Sequence, residues 1–202
     1  MRAVSGEIIP ILILAAGTSS RMRGADKLAM NVGGQPLLRR IATQAAEVGD
    51  TFVALHHRAA ERLALLDGLP ITPLLVPEAE DGQSGTLRGA VAQLPPCPAF
   101  MMVLADLPLI TSDDLAAVLA ARDANPDALI WRGAAPDGTP GHPVLFDASL
   151  RPAFTDLSGD DGGAAVVKPL RARTILLPFA DDRAVFDLDT PEAWAAFTAH
   201  KV

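Results

Sequence analysis

The 202-residue sequence contains no tyrosine and a single cysteine, and aromatic residues make up only 4% of it. One thiol excludes an intramolecular disulfide and a cysteine-rich zinc site. That thiol, Cys97, sits in the stiff connector Pro95-Pro96-Cys97-Pro98 and is expected to be structural or incidental rather than catalytic. No signal peptide is visible, and the apolar stretch 8–16 is interrupted by Pro10 and too short to span a membrane. A cytoplasmic location without a membrane partner is therefore expected. Positive charge is also in short supply. Lys and Arg number 17 against 24 Asp and Glu, a formal charge of −7, which argues against nucleic acid as a partner. An acidic protein that binds a polyphosphate needs locally concentrated cations or a divalent metal.

Half of the residues are apolar and a fifth are charged, which suits a folded α/β protein and is too apolar for disorder. The length predicts a single domain over 1–202. Strand-like runs at 8–14, 51–55, 71–76, 99–105, 128–131, 143–146, 174–177 and 184–188 alternate with helical patterns. The helical patterns cover 36–48, 58–66, 85–94, 111–122, 148–155, 163–170 and 191–200. Pro36 stands near a helix start, and Pro73 marks its strand as an edge or a bulge. Thr111 or Ser112 caps the 111–122 helix, with Asp113 and Asp114 in its first turn. This alternation predicts a mostly parallel sheet between two helical layers, an α/β/α sandwich. Ligands of such sheets bind at the carboxyl ends of the strands. The loop after Leu14 and the acid Asp106 both fall there, and the loop-like stretches 77–85 and 133–141 are long enough to cover a site.

The loop after Leu14 combines small residues with Arg21, Arg23 and Lys27. Small residues let backbone N–H groups approach an anion, and the cations can neutralise it. Two familiar phosphate loops are excluded, because no Gly-Lys pair exists and Gly17 is followed by Thr18-Ser19-Ser20 rather than a second glycine. Chemistry at a bound phosphate demands positioning and cations more than a covalent nucleophile. Arg21 and Lys27 are the candidates to hold phosphate oxygens, unless they are ordinary surface cations. Mg2+ prefers one or two carboxylates beside phosphate and water. Asp106, ending a buried strand, is the first candidate metal ligand. Asp189 is the second, since the alternation Phe186-Asp187-Leu188-Asp189 puts both acids on one side of a strand. Asp189 could equally cap the helix from Pro191, with Asp187 in reserve. His56, His57 and His200 lack metal spacing and read as surface residues, while Trp131 and Trp194 read as packing residues.

Leu14-Ala15-Ala16-Gly17, Arg21-Met22 and Gly24-Ala25-Asp26-Lys27 together resemble the signature loop of nucleotidylyltransferases with a Rossmann-like, glycosyltransferase-A-like fold. Within that group the sequence is most similar to the molybdenum cofactor nucleotidylyltransferases, especially their cytidylyltransferase branch. The guanylyl branch typically reads Leu-Ala-Gly-Gly where this chain has Ala16 before Gly17. Leu104-Ala105-Asp106-Leu107-Pro108 resembles the family's metal motif, and Gly82-Gln83-Ser84-Gly85-Thr86-Leu87 its nucleotide-side loop. Gly141-His142-Pro143 and the closing Asp187-Leu188-Asp189-Thr190-Pro191-Glu192 match further segments in order. The chain departs in two places. Arg23 adds a residue between Met22 and Gly24, and Ala164-Ala165 stand where an arginine often follows the segment Gly159-Asp160-Asp161-Gly162.

The resemblance implies Mg2+-dependent transfer of CMP from CTP to the terminal phosphate of molybdopterin carrying molybdenum, with release of pyrophosphate and a molybdoenzyme as downstream partner. It further implies that Leu14, Ala15, Ala16 and Gly17 bring backbone groups to the base and ribose. Gly82 and Ser84 would complete the nucleotide side, or Ser84 would simply cap its helix, and His142 would meet the second substrate or remain a plain loop histidine. If the Ala16 methyl acts near the base as a single steric change, it would discriminate between bases by about 1–3 kcal/mol. Other readings are GTP as donor, a sugar or polyol phosphate as acceptor, or a non-catalytic cofactor carrier.

Overall fold

The computed structural model describes residues 8–159 and 162–199; Asp160, Asp161 and His200 lie outside them. The elements, in chain order, are strand β1 (Ile11–Leu14), a small hairpin of β2 (Asn31–Val32) and β3 (Gln35–Pro36), and helix α1 (Leu37–Ala46). There follow β4 (Thr51–Leu55), α2 (Ala59–Leu65), β5 (Ile71–Leu75), α3 (Gln83–Ala92), β6 (Ala99–Leu104) and α4 (Ser112–Ala124). The remainder comprises β7 (Ile130–Ala134), β8 (Pro140–Asp147), α5 (Arg151–Thr155), α6 (Gly163–Val167), β9 (Thr174–Pro178) and α7 (Pro191–Ala199). No helix among the described residues is long and apolar enough to cross a membrane.

Seven strands form one sheet in the order β5-β4-β1-β6-β8-β7-β9. It is parallel except for β8, which runs against both β6 and β7. The central strands are apolar on both faces because helices cover both. Ile11 and Ile13 point into one core layer with Leu38 and Ile41 of α1, Val118 of α4 and Trp194 of α7. Leu12 points into the other, with Leu87 and Val91 of α3, Phe154 of α5 and Val166 of α6. This is the expected three-layer, Rossmann-like α/β/α arrangement with a mostly parallel sheet. β5, with Pro73, is indeed an edge strand. Thr111 caps α4 in a capping box with Asp114, and both Trp131 and Trp194 are buried.

Three local expectations are corrected. The stretch 133–141 is not a covering loop, because β7 and β8 extend towards each other and close a tight hairpin in which Ala135 N–H donates to Thr139 O (2.9 Å). Ser84 lies inside α3 rather than capping it. The expected strand 184–188 does not form. Instead a 3₁₀ turn at Asp182–Ala184 leads into a segment without strand pairing, which crosses to the carboxyl end of β6. Leu188 N–H donates to Asp106 O (3.2 Å), and the fully buried Leu188 side chain and the Trp194 Nε1 hydrogen bond to Leu188 O (3.2 Å) hold it there. β7 has β8 on one side and β9 on the other, so the segment has no place beside it in the sheet.

Gly141 is where this crossing segment touches β8. A Cβ there would stand 2.1 Å from Ala184 O, so any side chain drives the segment off the strand. Gly141→Ala is expected to destabilise the protein by about 1–3 kcal/mol, the usual cost of overpacking, read as a lower urea midpoint at unchanged slope.

Candidate active site

The loop after β1 is too small to organise itself, since residues 15–20 are alanine, glycine, threonine and serine. Arg62 of α2 organises it from beneath. Its side chain is completely buried. Nε and Nη2 each donate to the Asp26 carboxylate at 2.9 Å, and Nη1 donates to Ala15 O (2.5 Å) and Gly17 O (2.8 Å). Asp26 in turn accepts from Leu28 N (3.1 Å) and so caps the 3₁₀ turn Lys27–Ala29. Burial alone would raise the Asp26 pKa, but Arg62 outweighs it and holds the carboxyl below its ordinary range. Arg23, in left-handed conformation (φ 52°), ends the preceding 3₁₀ turn and extends into solvent, where it pairs with Glu192 at 3.0 Å. The additional residue is thus accommodated outside the cavity-lining side of the loop.

Across the cleft, three acids converge. Asp106 follows β6, while Asp187 and Asp189 flank the anchored Leu188, and a ligand oxygen from each lies within 4.8 Å of the others. The shared side that alternation predicted is therefore reached without a strand. Lys27 Nζ bridges two of them, donating to Asp106 Oδ2 (2.5 Å) and to Asp189 Oδ1. Arg21 pairs with Asp189 Oδ2 at 2.5 Å. Burial would lower the Lys27 pKa, yet the two carboxylates raise it, so the ammonium is charged. Asp189 is held low by Lys27 and Arg21 against the opposing effect of burial. Asp187 is shifted upward by burial and by its two acidic neighbours. Asp106 Oδ1 is buried and has no hydrogen-bond partner.

That orphaned oxygen decides whether a metal suits the residues. A buried carboxylate oxygen without a donor is costly, and a hard divalent cation on two or three carboxylates supplies what it lacks. The residues fit. Leu14, Ala15, Gly17, Arg21, Lys27, Asp106 and Asp189 all line one cavity of about 260 Å³. The wall thus carries small backbone-exposing residues, two cations and two acids, a set able to hold a metal-bound polyphosphate.

Four other predicted residues do not line that cavity. Ala16 is buried in the apolar layer with Leu12 and Leu87. Gly82 precedes α3, and the buried Ser84 hydroxyl donates to Gly159 O (2.6 Å), tying α3 to the chain ahead of α6. His142 sits on β8 with Nδ1 3.5 Å from Met102 O. Burial, followed by the charge of Arg132, pushes its pKa down to about 4, so the ring is neutral at pH 7. Arg62 is the residue that sequence reasoning missed. It falls in a short alanine- and leucine-rich helix, and its only sequence signal is its place among residues that face the sheet.

The sequence profile of the MobA-like NTP transferase domain matches residues 11–174. The chain is 29% identical over 191 residues to the molybdenum cofactor guanylyltransferase of Burkholderia vietnamiensis, covering 92% of this chain and 93% of that protein. Its fold is similar to the crystal structure of an Rv0371c homologue from Mycobacterium sp. strain JC1, with 25% identity, TM-score 0.77, and coverage of 95% and 96% of the two chains. It is also similar to Mycobacterium tuberculosis Rv0371c itself, with 24% identity, TM-score 0.79, and coverage of 96% and 100%.

Arg62→Met strands the Asp26 carboxylate and two carbonyls, and is expected to cost about 3–5 kcal/mol, measured by urea unfolding. The pH dependence follows from Asp26. A carboxyl depressed on folding contributes stability above its unfolded pKa and loses it as pH falls through the lower folded value. The stability gap between wild type and Asp26→Asn should therefore stay constant at neutral pH and narrow as the pH drops below 3.8, which melting temperatures across an acid series would record.

Proposed function

Given that the chain belongs to the MobA-like NTP transferase domain family, we propose that it transfers a nucleotidyl group, CMP from CTP, to the terminal phosphate of molybdopterin, releasing pyrophosphate. The observation that carries this reading is the Asp106–Lys27–Asp189 bridge, with Asp106 Oδ1 buried and unpartnered beside it. A phosphate oxygen of the acceptor attacks the α-phosphorus, and the bond from that phosphorus to the β-phosphate oxygen breaks. Charge accumulates on the departing pyrophosphate. Arg21 and Lys27 hold the β- and γ-phosphates and offset that charge.

Asp106 and Asp189 would hold Mg2+, with Asp187 in reach as a third ligand. Once bound, the ion would neutralise and orient phosphate oxygens. Lys27 and Arg21 now pair with these acids, and the metal and the triphosphate would divide that arrangement, the metal engaging the carboxylates and the triphosphate the cations. Backbone groups from Leu14 to Gly17 would face the ribose and base, held by the Arg62 bonds to Ala15 O and Gly17 O. Gly82 would adjoin the nucleotide. Ser84 would act through the placement of α3, since its hydroxyl is committed to Gly159.

CTP is favoured by the likeness of Ala16-Gly17 and of Gly141-His142-Pro143 to the cytidylyl branch, although the Ala16 methyl itself is buried in the apolar layer and does not reach the cavity. The names of the curated relatives, molybdenum cofactor guanylyltransferases, favour GTP as the second reading. Pyrophosphate release with Mg2+, molybdopterin and each of CTP, GTP, ATP and UTP separates them. CTP is expected to be the preferred donor, and release with GTP alone would replace it. Release only with a sugar or polyol phosphate would change the acceptor, and tight cofactor binding without turnover would indicate a carrier. Asp106→Asn is expected to lower kcat by about 10²–10³-fold without altering the circular dichroism spectrum.

A further inference from the structure

Arg132, in the middle of β7, is a partly buried cation with no carboxylate partner among the described residues. Its Nε and Nη2 donate to Gly141 O at 3.0 and 2.8 Å, which aims the guanidinium towards the start of β8. Because β8 is antiparallel to β6, its start lies at the carboxyl end of β6, where Asp106 follows. The strand register shifts between Arg132 and Ala134, and such bulges re-aim side chains beside active sites. The neutral His142 ring on β8 feels the charge of both Arg132 and Asp106.

A guanidinium partly withdrawn from water, with one carbonyl as its hydrogen-bond partner, gains from an anion that completes it. Burial alone already lowers its pKa. The proposed reaction must bring a phosphate monoester up to a triphosphate and past three carboxylates. Arg21 and Lys27, on the loop that faces those carboxylates, serve the triphosphate in that reading. The incoming phosphate needs a cation of its own, and a planar guanidinium matches phosphate oxygens well. We propose that Arg132 binds the terminal phosphate of the acceptor and orients it for attack on the α-phosphorus. This rests on the nucleotidyl-transfer reading above, and it assigns the acceptor as a phosphate monoester entering over β7 and β8.

Arg132→Met removes the charge and keeps the apolar stem, while Arg132→Lys restores a charge. In steady-state assays with molybdopterin and the preferred triphosphate, Arg132→Met is expected to raise the acceptor KM by about tenfold or more, leaving the triphosphate KM within about twofold. Arg132→Lys should recover part of the loss. If the Arg–Gly141 bonds were merely structural, both KM values or kcat alone would change, and the proposal would fall. A second measurement does not depend on turnover. Inorganic phosphate is titrated by calorimetry onto protein saturated with an α,β-methylene nucleoside triphosphate. Wild type should bind it and Arg132→Met should bind it about tenfold more weakly or more. Equal phosphate binding by both proteins would overturn the Arg132 assignment whatever the acceptor proves to be. Absence of turnover in the wild type, with the phosphate difference preserved, would instead count against the molybdopterin reading alone.

Discussion

A guanidinium sealed from solvent governs the geometry of the site. Arg62 gathers Asp26, Ala15 O and Gly17 O around one planar group. Those contacts span the loop from its first residue to the aspartate beside Lys27. The loop contributes little apolar surface of its own beyond Met22 and Leu28, so side-chain packing alone would leave it variable. A buried ion pair adds uncertain net stability, because desolvation offsets much of its attraction. Its effect here is positional. Asp26 answers Arg62 and caps the turn that begins at Lys27, so a contact beneath the loop sets where the Lys27 ammonium stands above it.

The opposite wall depends on a second constraint of the same kind. Leu188 is buried, its N–H is bonded to Asp106 O and its carbonyl to Trp194 Nε1. Asp187 and Asp189 are therefore brought beside Asp106 although they lie about eighty residues further along the chain. Three carboxylates close together repel one another, and the upward shift of the Asp187 pKa registers that repulsion after burial. Lys27 and Arg21 relieve it in part. In a chain with a formal charge of −7, this small group of cations makes the approach of a polyphosphate electrostatically feasible.

Periodicity revealed most strands and helices because the sheet is buried on both faces, which leaves continuous apolar runs such as Ala99–Leu104. The loop after Leu14 and Asp106 were legible through residue type and place at strand ends, and Asp189 through its alternation with Asp187, although no strand forms there. Other features were not legible for physical reasons. A buried arginine has no compositional mark, so Arg62 read as an ordinary helix residue. The 184–188 segment has an alternating pattern, but its partners are Asp106 O and Ala184's close contact with Gly141 rather than a strand. The 133–141 stretch read as a loop because its glycines and prolines weaken strand character. Gly141 is nevertheless required by close approach, and Pro140 begins β8. Arg23 could be placed only once the left-handed turn and Glu192 were known.

The central claim is that the paired cations and carboxylates serve attack at the α-phosphorus. The most direct measurement is a single turnover with a triphosphate labelled at its α-phosphate, in the presence of molybdopterin and Mg2+. The account predicts that the label enters the acceptor while one unlabelled pyrophosphate leaves per transfer. Label recovered as free nucleoside monophosphate, or passage of the γ-phosphate to the acceptor, would contradict it.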